Sequence, residues 1–190
     1  ILLEHYGGVP LMGDSVYAAS DVIPAKRNTF DECVNYIAAE CDAAAQDLPW
    51  EHAGEDYGRI SKAACYGLKS RLLLYAASPL FNGSPVTTEG ALKDVVAYSV
   101  VDETRWQRAE AAAAQGIESG HYSLYVNNDP EPGFGFYQLF QLRKNSEYIL
   151  ARMQDSNRDL EGIWNPPTFG VSNPGAYPYL ETVDAFGMRN

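Results

Sequence analysis

The chain has 190 residues, 46% apolar and 21% charged, with a formal net charge of −11, which is the composition of a folded globular protein and not of a disordered or collagen-like one. No Lys/Arg run is longer than Lys26-Arg27 or Arg143-Lys144, so nothing is present to neutralise a phosphate backbone and nucleic acid is not expected as a partner. No apolar run approaches the roughly 20 residues that span a bilayer.

The first residues, Ile1-Leu-Leu-Glu-His-Tyr6, read as part of a helix that Gly7, Gly8 and Pro10 end. They hold neither Met nor a leader pattern, and Val183 to Asn190 has no tail-like bias, so both ends read as interior to a longer protein. Residues 11–28 lack a period and read as loop. At Thr29 the pattern changes. Thr29 with Glu32 forms a capping box, and Phe30, Val34, Ile37, Cys41, Ala44 and Leu48 make one apolar stripe of an amphipathic helix that Pro49 stops. After a loop with Gly54 and Gly58, Ser61 is the N-cap of a second helix that runs to about Ala77 and ends at Ser78-Pro79. Its inward set is read as Ala64, Cys65, Leu68, Leu72 and Tyr75, and its small residues suit an antiparallel helical hairpin with the first helix.

Residues 79–103 form a longer connection, and the period of 91–101 does not decide between helix and strand. Thr104 and Gln107 suggest a third capped helix with Trp106, Ala109, Ala113 and Ile117 inward and Gly120 as its C′ residue. A short helix over Phe134–Phe140 and a stretch of strand character over Glu147–Arg152 follow. From Gln154 the chain is rich in Asn, Pro and Gly with interleaved Trp164, Phe169, Tyr177 and Tyr179, an ordered-loop composition because disordered segments are poor in aromatics. The helix starts at 29, 61 and 104 are unevenly spaced, so a helical repeat would need an insertion between the second and third.

Chemical motifs are sparse. Cys33 and Cys41, eight apart on one helix, stand about 12 Å from each other, too far for a disulfide; without a CxxC pair the three cysteines read as small buried hydrophobes. The histidines show no ligand spacing, Gly133-Phe-Gly135 lacks its third Gly, and Pro174 spoils a nucleophile elbow. No metal and no cofactor is expected. Asn82-Gly-Ser84 spells a glycosylation acceptor of the kind that arises by chance. Glu51, Glu55 and Asp56, and Asp155, Asp159 and Glu161, read as solvated carboxylates, since nothing brings a pair to glycosidase spacing.

The aromatic content says more. The chain has 13 Tyr, 7 Phe and 3 Trp, many of them in loops, where large flat faces flanked by amides and Arg suit sugar rings, which are C–H on the face and hydroxyl at the rim. On that argument Trp164, Tyr177 and Tyr179, with Phe169, would stack on a glycan while Asn165, Asn173 and Arg152 bond its hydroxyls.

Several stretches together resemble the SusD/RagB family: Tyr6-Gly-Gly-Val-Pro-Leu11, Gly58-Arg-Ile-Ser-Lys-Ala-Ala64 running on to Arg71-Leu-Leu-Leu-Tyr-Ala-Ala-Ser-Pro-Leu-Phe-Asn-Gly83, Gly120-His-Tyr-Ser-Leu124, Asn145-Ser-Glu-Tyr-Ile149 and Val183-Asp-Ala-Phe-Gly-Met188. The resemblance implies a mainly α fold of tetratricopeptide-like helical hairpins with long ordered loops. Residues 1–190 would then be part of one larger SusD-like domain, with a helical core over about 29–120 and a ligand-facing, loop-rich region over about 121–190. It further implies a non-catalytic, lipid-anchored protein of the Bacteroidetes outer membrane that binds oligosaccharide or polysaccharide and hands it to a SusC-like TonB-dependent transporter, the helical part packing on the transporter. The anchor would lie outside this chain, since the family's lipidated Cys is terminal and the three cysteines here are interior. A helical-repeat module binding peptide or a partner helix, as RagB-like members suggest, is the alternative, and a glycosidase is third.

Overall fold

A computed structural model describes residues 1–23, 25–83, 85–87, 90, 92–154 and 180–185 in two compact units, Ile1–Ala151 and Arg152–Asn190. The first unit carries six α-helices: α1 (Leu2–Tyr6), α2 (Phe30–Asp47), α3 (Lys62–Ala77), α4 (Leu92–Val96), α5 (Thr104–Ile117) and α6 (Phe134–Leu139); a 3₁₀ turn, Gly54–Asp56, lies between α2 and α3. The second unit holds α7 (Leu180–Ala185). Among the described residues there is no strand, only an isolated parallel bridge between Asn82 and Tyr98. The strand character expected of 147–152 is therefore not realised. Two of its N–H groups go to a side chain instead: Asn145 Oδ1 accepts from the N–H of Glu147 (2.9 Å) and Tyr148 (3.1 Å).

α2 starts and stops where its sequence says. The Glu32 N–H donates to Thr29 Oγ1 at 3.2 Å, and the Thr29 N–H donates to Glu32 Oε2 at 2.8 Å, a reciprocal capping box. Those bonds, the Thr29 backbone one first, hold the Glu32 carboxyl below its usual range. Leu48 leaves the helix in extended conformation ahead of Pro49. The buried stripe is Phe30, Cys33, Val34, Ala38, Cys41 and Ala45, while Ala44 is exposed and Ile37 and Leu48 are only half-buried.

α3 begins one residue after Ser61, whose hydroxyl accepts from the Ala64 N–H at 3.3 Å. Its faces differ from expectation. Ala63, Cys65, Leu73, Ala76 and Ala77 are buried, whereas Leu68 and Tyr75 lie open to solvent and Ala64 and Leu72 are intermediate. The helix is apolar nearly all round, so periodicity does not select a face. Two neighbours select it instead. The Lys62 N–H donates to the Pro49 carbonyl at 2.8 Å, bringing the start of α3 to the end of α2. Lys69 Nζ reaches Asp42 at 2.7 Å midway, and the α2 start packs on the far end, with Phe30 stacked on Phe81 at 5.1 Å. α5 lies antiparallel along another side, Ala109 and Ala112 entering the same core as Leu73 and Ala76. Two antiparallel helix pairs thus share α3, the helical-hairpin architecture expected of the sequence.

The connection between α3 and α5 settles the open assignment of 91–101: α4 forms, and Tyr98 then bridges back to Asn82. Asn82 is buried (6% exposed). Its Nδ2 donates to the carbonyls of Ala77 (3.4 Å) and Asp102 (3.0 Å), and its Oδ1 accepts from the Asp102 N–H (2.9 Å) and from Arg105 Nη1. An amide so engaged is not a glycosylation acceptor. Arg105 also lies over the Tyr98 ring, 3.5 Å from its centroid, a cation–π contact on a ring already edge-on to Phe30 at 5.2 Å.

No box forms at Thr104: the N-cap of α5 is Glu103, which makes no side-chain cap bond, and the acceptor at this helix start comes from Asp102, one residue earlier. Asp102 Oδ1 accepts from both the N–H (2.9 Å) and the hydroxyl (2.7 Å) of Thr104, which is itself the first helical residue. Trp106 and Ile117, expected inward, are exposed. Ala109 and Ala112 form the buried face because alanines let α5 approach α3 closely, and the bulky residues are left at its sides. Cys33, Cys41 and Cys65 are all free thiols in the core, as their reading required.

Candidate functional site

The loop-side face of the first unit is built from three segments: 50–61 between α2 and α3, 119–127 after α5, and 139–151 after α6. Pro49 turns the chain out of α2, and the returning bond from Lys62 closes the first segment. Ser119 Oγ donates to the Gly116 carbonyl at 2.7 Å and finishes α5, after which Gly120, at φ +70°, turns the chain. The segments are fastened to one another. Tyr122 Oη donates to the Trp50 carbonyl (3.2 Å), Tyr57 Oη to the Arg143 carbonyl (3.3 Å), and the Ser123 N–H to the Ser146 carbonyl (3.0 Å).

Trp50 is the anchor. Its ring stacks on His121 (4.5 Å, 23° between planes), meets Tyr66 at 5.6 Å, and has Lys62 Nζ 5.7 Å from its centroid. Both ring neighbours and the ammonium are thus already in place, so Trp50 holds the loops together more than it offers a free face. Beside it Lys144 pairs with Glu51 and stands 5.6 Å from the Tyr57 ring; the bond to Glu51 holds its ammonium protonated to higher pH than usual. Burial, with Glu51 next, pushes the Tyr122 phenol up. The cavity among Glu51, Tyr57, Arg59, Tyr122 and Tyr148 holds about 20 Å³, room for a water and not for a sugar. A ligand at this face lies on it, not inside it.

The open aromatic faces are on α6 and on Phe140, the residue that caps its C-terminal end. Phe136, Tyr137 and Phe140 are 71%, 61% and 68% exposed, and Phe136 meets Phe140 edge-on at 5.2 Å. Helical spacing puts all three on one side, opposite the buried Gly135 and Leu139. α6 is held rigidly from beneath. Tyr125 Oη and Asn127 Nδ2 both donate to Gln138 Oε1 (2.7 and 2.8 Å), and Tyr148 Oη (2.9 Å) and Asn145 Nδ2 (3.2 Å) both donate to the Leu139 carbonyl. The exposed polar side chains of Gln141, Arg143 and Lys144 follow within a few residues. Large apolar faces beside hydrogen-bonding groups are the combination a sugar ring requires.

A second feature is an apolar groove of about 540 Å³ along the seam of α3 and α5, floored by Ala63, Gly67, Ala112 and Gly116 and walled by Tyr66, Ile117, Tyr122, Leu124 and Ile149. Its volume is in the range of small-molecule and peptide sites. Among the described residues no group of three or more His, Cys, Asp or Glu converges as metal ligands would, and no helix is long and apolar enough to cross a membrane.

Of the residues singled out from sequence, Arg152 is exposed at the start of the second unit. Trp164, Asn165, Phe169, Asn173, Tyr177 and Tyr179 lie outside the described residues. The α6 aromatics and the Trp50 anchor are not among the residues that the sequence points to. The loop-aromatic argument applies to Trp50 and Tyr57 as it stands, but α6 reads as an ordinary short helix until its buried face is known.

No protein-family model matches the chain, and no curated protein matches it. Solved structures do. A SusD-like protein, BF3747 from Bacteroides fragilis NCTC 9343, matches 84% of this chain at 23% identity and a TM-score of 0.57, and 25% of its own length is covered. BT4246 matches 92% of this chain at 25% identity and a TM-score of 0.58, with 33% of its length covered. Its selenomethionine form matches 92% at 28% identity and a TM-score of 0.53, with 32% covered. This chain spans about a quarter to a third of the length of the structures it matches. Its fold is SusD-like, over most of its own length and a minor part of theirs.

Proposed function

We propose that this chain is part of a SusD-like nutrient-binding protein that holds a glycan without turning it over and passes it to a SusC-like TonB-dependent transporter in the outer membrane. Likeness to a SusD-like structure supports the class. The observation that carries the ligand chemistry is the aromatic side of α6, three large rings left open on a helix that is pinned from below. An apolar side of that size on a rigid support is expected to bind something. Stacking by Phe136, Tyr137 and Phe140 is the proposed mode in the first unit; independently of it, Trp164, Tyr177, Tyr179 and Phe169 are proposed to stack on a glycan in the second unit, with hydroxyl bonds from Asn165, Asn173 and Arg152. Anchorage by a lipid outside this chain, facing the cell exterior, belongs to the same reading.

The test is retention in affinity gels containing soluble starch and other polysaccharides, followed by calorimetry with oligosaccharides. Phe136→Ala, Phe140→Ala and Trp164→Ala are each expected to weaken binding several-fold, on the order of 0.5–1.5 kcal/mol per lost ring contact, with no reducing sugar released. Retention by no polysaccharide would overturn the glycan reading. The groove between α3 and α5 favours a second reading, binding of peptide or a partner helix against its small-residue floor; capture of peptides by a chain that ignores all polysaccharides would establish it.

A further inference from the structure

Asn82-Gly83 is the one Asn-Gly pair in the 190 residues. Such a pair is prone to lose its side-chain ammonia, because Gly has no Cβ to shield its own backbone nitrogen, which can then reach the amide carbon of the Asn before it. Here the fold holds each atom that the reaction needs. The carbon to be attacked, Cγ of Asn82, is fixed through its amide: Nδ2 donates to the carbonyls of Ala77 (3.4 Å) and Asp102 (3.0 Å), and Oδ1 accepts from the Asp102 N–H (2.9 Å) and from Arg105. The nitrogen that would attack, that of Gly83, keeps its proton in a 3.1 Å bond to the Tyr98 carbonyl. Asn82 is only 6% exposed, which keeps hydroxide and water from the pair.

Neither half of the pair is exchanged cheaply. Asn82 joins the end of α3 to the start of α5, and Gly83 stands at φ +85°, where an added Cβ would meet Val101 Cγ2 and lie 2.7 Å from the Val101 nitrogen. Packing thus requires a dipeptide whose own chemistry is a liability whenever this neck opens.

We propose that Asn82-Gly83 is a self-modification site that the closed neck silences and an open neck releases, so that a chain held open is marked and does not close again. In the open chain hydroxide takes the Gly83 amide proton, and the freed nitrogen attacks Cγ of Asn82. The Cγ–Nδ2 bond breaks, the leaving nitrogen takes a proton from water, and ammonia departs from a succinimide ring. Water then opens the ring at one of its two carbonyls. Breaking the bond between Cγ and the ring nitrogen leaves an aspartate at position 82; breaking the bond from the backbone carbonyl carbon leaves an isoaspartate, whose main chain runs through the side chain. One water is consumed, one ammonia is released and no electron is transferred. Both products lack the donor that the Ala77 and Asp102 carbonyls accept from, and only the Arg105 bond suits the new carboxylate.

The experiment ages the purified chain at mildly alkaline pH, with a thiol reductant present, in buffer and in unfolding urea, and then maps it with trypsin. The peptide Leu72–Lys93 holds Asn82 as its one side-chain amide, so its mass gain and its isoaspartate content, read by enzymatic methylation, report this reaction alone. Loss of the amide is expected to be at least roughly tenfold slower in buffer than in urea, as for a group that reacts only from a locally open state. Arg105→Ala removes one bond to Asn82 and leaves the Asn-Gly pair intact; it is expected to raise the rate in buffer several-fold and to leave the rate in urea unchanged. Urea below the unfolding transition is expected to raise the rate of the unsubstituted chain in the same way. Once urea is removed, unmodified chains are expected to regain their melting midpoint and modified ones to melt lower or not to refold. Equal rates in buffer and urea, no reaction in urea, a rate in buffer that neither Arg105→Ala nor low urea changes, or modified chains that melt with the unmodified ones would each overturn the proposal.

Discussion

Asn82 and Asp102, 20 residues apart, exchange hydrogen bonds in both directions: the Asp102 N–H donates to the Asn82 side-chain oxygen at 2.9 Å, and the Asn82 amide nitrogen donates to the Asp102 carbonyl at 3.0 Å. The side chain of one residue thereby completes the backbone of another, as a neighbouring strand would. It does so at the point where α3 has ended and α5 is about to begin. Asn82→Ala would leave these groups and the Ala77 carbonyl without partners, at a cost of about 2–4 kcal/mol. In thermal unfolding that is a fall of about 5–15 °C. Asn82→Asp, nearly the same in shape, is expected to lose almost as much, because it turns an acceptor toward two carbonyls.

Gly83, next in the chain, sits at φ +85°, and a Cβ there would meet the backbone and side chain of Val101. Gly13 has a similar φ, +58°, with nothing near it. Both Gly→Ala changes carry the left-handed penalty of about 1–2 kcal/mol, but only Gly83→Ala adds a collision with backbone. Denaturant melts should therefore rank Gly83→Ala well below Gly13→Ala, and equal losses would contradict the close approach of the two segments.

Trp50 and Phe136 should separate stability from binding. Trp50 packs against His121, Tyr66 and Lys62, so Trp50→Ala is expected to remove about 1–3 kcal/mol of stability, seen as a lowered melting midpoint. Phe136 is mostly exposed, and Phe136→Ala should leave the midpoint within a degree or two while weakening retention on polysaccharide gels. A Phe136→Ala chain that melts early would show that α6 depends on that ring for its own folding.

Acid should weaken the fold through two caps. The Thr29 backbone bond, first, lowers the Glu32 carboxyl, and the Thr104 hydroxyl bond, first, lowers that of Asp102. A carboxylate whose folded value lies below its unfolded one stabilises the chain above the unfolded value, near pH 4, and that contribution is lost as pH falls through the folded value. Urea unfolding at pH 7 and pH 3 should show this loss, and Glu32→Gln and Asp102→Asn should each reduce the difference between the two.

The parts of the fold that were legible in the sequence are those fixed by local chemistry. Thr29, Glu32 and Pro49 specify both ends of α2 through bonds and sterics within a few residues, and Ser61 does the same for the start of α3. The buried side of α3 was not legible, because Leu68, Leu72 and Tyr75 make one side apolar while Leu73, Leu74, Ala76 and Ala77 make others so, and only the positions of α2 and α5 choose among them. The start of α5 is ambiguous in sequence for a related reason: Asp102 and Thr104 both suit an acceptor role there, and the long-range bonds from Asn82 fix the Asp102 backbone so that its carboxylate meets Thr104. At the candidate site, loop aromatics were a usable signal for Trp50 and Tyr57. The openness of Phe136, Tyr137 and Phe140 was not, since it depends on Gln138 and the Leu139 carbonyl being held by residues from other segments.

The pinch at Asn82 and Asp102 also bears on chain length. Its two ends are joined irrespective of what runs between them, so the stretch carrying α4 is a loop closed at its neck, and lengthening it would add only about 0.6 kcal/mol of closure entropy for each doubling. The uneven spacing of helix starts at 29, 61 and 104 is accounted for by this excursion. α3 and α5 can stay adjacent as if they were consecutive members of a repeat, which makes the neck, and not the regularity of the spacing, the element that keeps the helical stack in phase.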